Sequence, residues 1–70
     1  MEWKQVSSSN LRAYRYDKTA MALDVQFKNG AVYRYNGVPM STVKQLDNAD
    51  SVGSVFANQV KSSFDYEKLS

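Results

Sequence analysis

The seventy-residue chain contains no cysteine and no histidine. The first absence removes disulfides and thiolate metal sites. The second removes the commonest general base and the commonest metal ligand. No apolar run reaches the roughly 18 residues that a membrane-crossing helix needs. The opening Met1-Glu2-Trp3-Lys4 has no apolar signal core. A lack of thiols fits a reducing compartment, and together these features point to a soluble cytoplasmic protein with no membrane partner. Gly30, Gly37 and Gly53 are isolated, so no glycine-rich phosphate loop exists. Asp47 and Asp50 are the only carboxylate pair at helical spacing. Such a pair suits a hard cation, but near a helix end it reads as turn and capping residues. No catalytic residue, metal site or cofactor is therefore expected, and the chain is not read as an enzyme.

What is present fits one domain over residues 1–70. A chain of this length buries about 60% of its unfolded surface. Its stability without a staple is about 3–5 kcal/mol, and assembly as a homo-oligomer is one way to bury more. The net charge is +2, unevenly spread. Lys4, Arg12, Arg15, Lys18, Lys28 and Arg34 outnumber Glu2, Asp17 and Asp24 in residues 1–36, giving +3, whereas residues 37–70 carry −1. This is a modest basic face.

Apolar alternation defines the strands. Residues 11–17, LRAYRYD, place Tyr14 and Tyr16 on one face. Residues 21–28 set Met21, Leu23, Val25 and Phe27 against Ala22, Asp24, Gln26 and Lys28. Residues 31–36 form a third strand, joined to the second by a turn at Asn29-Gly30. A two-residue loop there would turn Tyr33 and Tyr35 to the wetter face. A three-residue loop, with Gly30 left-handed, pairs Val25 with Tyr33 and Leu23 with Tyr35 and turns the rings inward. A one-residue slip flips every side chain, so one register must hold. The second is favoured because it gives a continuous apolar face, with cross-strand pairs adding roughly 0.2–1 kcal/mol each. After Pro39, Met40, Val43 and Leu46 mark a first helix over 40–49. Val52, Val55, Phe56 and Val60 mark a second over 50–64, capped by Asp50 or Ser51. Gly53 costs about 1 kcal/mol in a helix interior, which suggests a close approach of backbones. Phe64 and Tyr66 in the tail offer a short further strand or a packed extension. The expected fold is α+β: a three-stranded antiparallel meander followed by two helices packed on one face (β-β-β-α-α).

With the tyrosines inward, Arg15 and Arg34 lie on the open sheet face, and Arg12, sharing parity with Tyr14, lies at the core's rim. Guanidinium planes on a sheet can stack bases and hold phosphates. Their alternative use is cross-strand pairing with Asp24 or Gln26. Ser7-Ser8-Ser9-Asn10 reads as a turn whose hydroxyls, amide and N–H groups could grip a phosphate. Trp3 and Val6 have no obvious core position, so Trp3 serves either as an interface anchor or as a cover for its own domain.

The stretches VSSSNLRAYRYD, VQFKNGAVYRYNGVP and GSVFANQVK resemble the KTSC domain family, named for the lysyl-tRNA synthetase C-terminal extension. The resemblance runs from Val6 to Tyr66. It rests on Ser7-Ser8-Ser9-Asn10, the Tyr33-x-Tyr35 pair, Val38-Pro39 and Gly53-x-x-Phe56. It implies a compact domain found in short bacterial or phage proteins or as a tail on such synthetases, with no established activity and a suggested link to RNA. The chain departs from the expected pattern at Val55, where an aromatic is usual, and at Ala57, where Asn is usual.

The functional expectation is a small non-enzymatic binding module whose ligand bears phosphate, either RNA or a nucleotide. In a phage or bacterial setting it could sequester a nucleotide signal. Ser7, Ser8, Ser9, Asn10, Arg12, Arg15, Lys28 and Arg34 are the expected ligand-binding residues. The alternative is a protein-interaction module acting through Trp3, the edge strands or the helices.

Overall fold

A computed structural model describes residues 3–70. Met1 and Glu2, which open the segment read as lacking a signal core, lie outside them. The elements run β1 (Lys4–Gln5), β2 (Leu11–Asp17), β3 (Ala22–Phe27), β4 (Val32–Asn36), α1 (Met40–Asp47), α2 (Val52–Gln59) and β5 (Tyr66–Lys68). The fold is α+β. Among the described residues five strands form one antiparallel sheet whose spatial order is the sequence order. The sheet thus has a strand more at each edge than the three-stranded meander. β5 is the short strand anticipated in the tail. β1 was not anticipated, because two residues carry no readable period. Among the described residues no helix is long and apolar enough to cross a membrane.

The β3–β4 register is the one that turns the rings inward. Val25 faces Tyr33 and Leu23 faces Tyr35. The Phe27 N–H donates to the Ala31 carbonyl at 2.8 Å, and Gly30 sits at φ +93°, where a β-carbon would be strained. The Asn29 side-chain oxygen accepts the Ala31 N–H at 3.0 Å and closes the loop.

Leu11, Tyr14, Leu23, Val25 and Tyr35 meet Val43 and Leu46 of α1 and Phe56 of α2 in one buried cluster, completed by Val38 and Val60. The helices cover this side of the sheet. Three local expectations change. Met21 is not a strand residue. It sits at φ +53° in the β2–β3 turn and is exposed, where its carbonyl accepts the Val38 N–H. A bulge between Leu11 and Ala13 shifts the β2 register, so Leu11 and Tyr14 both reach the core, although an unbroken strand would put them on opposite faces. Arg12 falls in that bulge and is exposed rather than at the core's rim. Finally, α2 stops at Gln59, and residues 60–63 form a turn instead of continuing the helix to 64.

Ser51 caps α2, its hydroxyl accepting the Ser54 N–H. Gly53 follows in the first turn. A β-carbon there would stand 2.9 Å from the Ser8 hydroxyl. The close approach is real, but it is to a side chain. That hydroxyl accepts the N–H groups of Asn10 and Leu11 at 3.3 and 3.4 Å. The Ser7–Asn10 turn is thereby packed against α2 and also tied to the hairpin, since the Lys28 N–H donates to the Asn10 carbonyl.

Candidate functional site

The eight residues expected to bind a ligand separate into three groups. Ser7, Ser8, Ser9 and Asn10 gather with Lys28 at one end of the sheet, beside the β3–β4 hairpin. Arg12 lies in the β2 bulge. Arg15 and Arg34 lie on the open face, opposite the helices.

On that open face both guanidiniums are already engaged. Arg15 Nε donates to Asp24 Oδ2 at 3.0 Å. Arg34 donates to both oxygens of Asp24, at 2.8 and 3.2 Å. Burial alone would push the Asp24 carboxyl up. The hydrogen bonds from Arg34 and then Arg15 outweigh it and hold the group below the usual carboxylate range. The same bond to Asp24 raises Arg34 further into its charged form. Trp3 folds back onto this array, with the Arg15 guanidinium carbon 4.4 Å from its ring, a cation–π contact. The adjoining depression, about 390 Å³, is lined by Asp17, Asp24 and Glu67 as well as the two arginines. Three carboxylates there outnumber two cations, so this face offers an anion little net attraction.

The helix side is different. A cleft of about 420 Å³ opens between α2, the β3–β4 hairpin and β5. Phe27, Tyr33, Tyr35, Phe56 and Tyr66 line it. The rings form a continuous set, with neighbouring centroids 5.4–5.7 Å apart. Tyr35 is 4% exposed and Tyr66 is 59% exposed, with Tyr33 between these extremes. Tyr66 lies directly opposite Tyr35 in the β4–β5 pairing and leans on both Tyr33 and Tyr35. Burial, with the neighbouring Tyr66 and Tyr33 hydroxyls, pushes Tyr35 above the ordinary phenol value. Polar groups reach the cleft from Asn10, Asn29, Lys61 and Ser62, and among the described residues no carboxylate lines it. Its volume lies in the range of small-molecule sites.

The cleft draws Asn10 from the expected set and runs along the hairpin that carries Lys28. It adds Tyr66, Asn29 and Lys61, which the sequence reading did not name as ligand-binding residues. Tyr66 could have been found from its same-face spacing with Phe64, had the tail been paired with β4. Ala57 also lines the cleft, so the departure from the expected Asn falls on its wall.

A model of the KTSC domain matches residues 7–64. The chain belongs to the KTSC domain family. It is 42% identical over 62 residues to a lysine--tRNA ligase of Nostoc sp. (strain PCC 7120 / SAG 25.82 / UTEX 2576), covering 89% of this chain and 11% of the ligase. It therefore spans about a tenth of the length of that relative. An uncharacterized protein of Stutzerimonas stutzeri (strain A1501) is 47% identical over 55 residues, covering 79% of this chain and 76% of that protein. The crystal structure of a KTSC domain protein from Yersinia pestis superposes with a TM-score of 0.91 at 31% identity, covering 99% of this chain and 97% of that one.

Proposed function

We propose that this KTSC domain is a non-enzymatic binding module for a phosphate-bearing ligand, RNA or a nucleotide. The observation that carries the reading is the aromatic cleft, whose polar rim holds amides and a lysine but no carboxylate among the described residues. Aromatic faces accept bases of any sequence, at about 1–3 kcal/mol per stacked base. The Ser7–Asn10 turn, with the exposed Lys28 and Arg12, would supply hydroxyls, N–H groups and charge for phosphates. Arg15 and Arg34, held by Asp24, contribute less. Similarity to part of a lysine--tRNA ligase is in keeping with an RNA ligand.

The test is retention of RNA, DNA and nucleotides by the purified protein at about 50 mM salt, repeated as salt rises. Retention that falls steeply with salt supports the reading, and failure to retain any of them removes it. Native mass on the same preparation tests the accompanying expectation of a homo-oligomer, which a monomer would sink. A second reading, a protein-interaction module, draws on Tyr66 in β5 and Leu69 just after it, both exposed. It predicts a partner held independently of salt.

A further inference from the structure

We propose that the cleft takes one unpaired nucleotide at a time, its base resting on Tyr66 and Tyr33 and its phosphate toward Lys61, and that the domain therefore rejects duplex nucleic acid. This deepens the phosphate-ligand reading and rests on it.

Three observations converge. Size comes first: about 420 Å³ lies near the lower end of ligand pockets, roughly 300–1,000 Å³, and leaves no room for a run of stacked bases. The contiguous set of rings is also gathered in this cleft. On the open face the exposed planar groups are guanidiniums tied to Asp24 and a tryptophan laid over one of them. No extended platform for successive bases exists among the described residues. The third observation is the polar lining. Lys61 with Asn10 and Asn29, and no carboxylate, favours an anion whose other part presents hydrogen-bonding edges. The Asn29 oxygen is occupied by the Ala31 N–H, which leaves its NH₂ group to donate, while the Asn10 side chain can donate or accept. A base edge carries both kinds of partner. In a duplex the base faces are hidden in the stack and cannot meet a ring without being extruded.

Tyr66 is the piece that makes the site. It is the most exposed of the cleft's rings, it belongs to an edge strand, and it packs only against Tyr33 and Tyr35 among the aromatic residues described. Removing it should open the cleft's outer wall and leave the helix-side core in place.

The experiment follows backbone amide shifts of the full chain by NMR in three titrations: adenosine monophosphate, a single-stranded hexa-adenylate, and a duplex RNA of equal phosphate concentration. The expected result is saturable shifts at Phe27, Asn29, Tyr33, Lys61 and Tyr66 with one or both unpaired ligands, and none at these positions with the duplex. Response to the monophosphate points to a free nucleotide, and response to the hexa-adenylate alone points to an unpaired position within a strand. Tyr66→Ala should weaken binding about tenfold or more, whereas Tyr66→Phe, which keeps the ring, should bind within about twofold of the parent. Near-ultraviolet circular dichroism checks that both variants remain folded. Duplex binding with shifts at Arg12 and Lys28 and a silent cleft would overturn the single-nucleotide site but leave the phosphate-ligand reading standing. Unchanged affinity in a folded Tyr66→Ala variant would overturn it in the same way. No response to any of the three would remove both.

Discussion

Asp24 is the buried charged side chain among the described residues, 4% exposed, and its two arginine partners make that burial tolerable. A buried carboxylate without them would bear the full cost of desolvation. Asp24→Ala removes three charge-assisted hydrogen bonds and leaves two half-exposed guanidiniums without an acceptor. The expected loss is about 2 kcal/mol, read from the urea midpoint. That is a large part of the roughly 3–5 kcal/mol available to a chain of this length. The pH dependence has a definite sign. Folding holds the Asp24 carboxyl below its ordinary value, so the folded state binds fewer protons there. Its contribution is present above about pH 4 and disappears as pH falls through the folded value. Asp47 adds in the same direction. Burial raises its carboxyl, but hydrogen bonds from Tyr14 and Lys4 lower it by more. Asp24→Asn should flatten the acid limb of the stability profile, and an unchanged limb would show that Asp24 does not carry it. Tyr14 acts at the other end of the scale. Burial first, then its 2.5 Å hydrogen bond to Asp47, push its phenol upward. Stability linked to Tyr14 is complete below about pH 10 and is lost as pH rises through the folded value. In a tyrosinate absorbance titration Tyr14 and Tyr35 should ionise above the ordinary phenol value.

At the scale of elements, the link between the Ser7–Asn10 turn and α2 can be isolated by a double-mutant cycle. Gly53→Ala alone gains helix propensity, at most about 1 kcal/mol, but forces its β-carbon onto the Ser8 hydroxyl, itself anchored by two backbone N–H groups. The clash should win, giving net destabilisation of about 1 kcal/mol. In a Ser8→Gly background the obstacle is gone, and the same substitution should become neutral or stabilising. Additivity in the melting curves would mean that the two elements are not coupled through this contact. Gly30→Ala tests the hairpin separately and should cost about 1–2 kcal/mol through its left-handed backbone. These same elements mark how far the sequence could be read. The hairpin was legible because alternation and an Asn-Gly turn both constrain its register, and only one register gives a continuous apolar face. Ser51 and Gly53 were legible as a cap and an anomaly. The β2 bulge was not, because Leu11, Arg12 and Ala13 alternate as well in a regular strand as in a bulged one. β1 and β5 were illegible or half-legible because each owes its existence to an edge already formed by β2 or β4. The cleft follows from that pairing: Tyr66 acquires a position only when β5 is placed beside β4.

Across the whole molecule, the accessible surface of 4448 Å² is close to the roughly 4,400 Å² expected for a compact monomer of this mass. The single chain is as compact as its mass predicts, but its core is thin, and its stability must be graded across the sheet. β3 is hydrogen-bonded on both sides and sits under the buried cluster. β1 pairs over two residues and β5 over three, each on one side only. Amide exchange should be slowest in β3, where opening needs global unfolding of about 3–5 kcal/mol, and fastest at β1 and β5. Because β5 carries the outer wall of the cleft, a bound nucleotide should change this ranking, raising protection only where opening releases it. A ligand at one hundred times its dissociation constant adds about 2.7 kcal/mol to any opening that releases it. Protection at Tyr66, Leu69 and the β4 amides facing β5 should therefore rise with nucleotide concentration, while exchange at β1, on the far edge, stays as it was. Equal gains at both edges would mean that the ligand binds elsewhere and stabilises the fold only globally. A gain confined to β1 would put the ligand on the Trp3–Arg15 side instead.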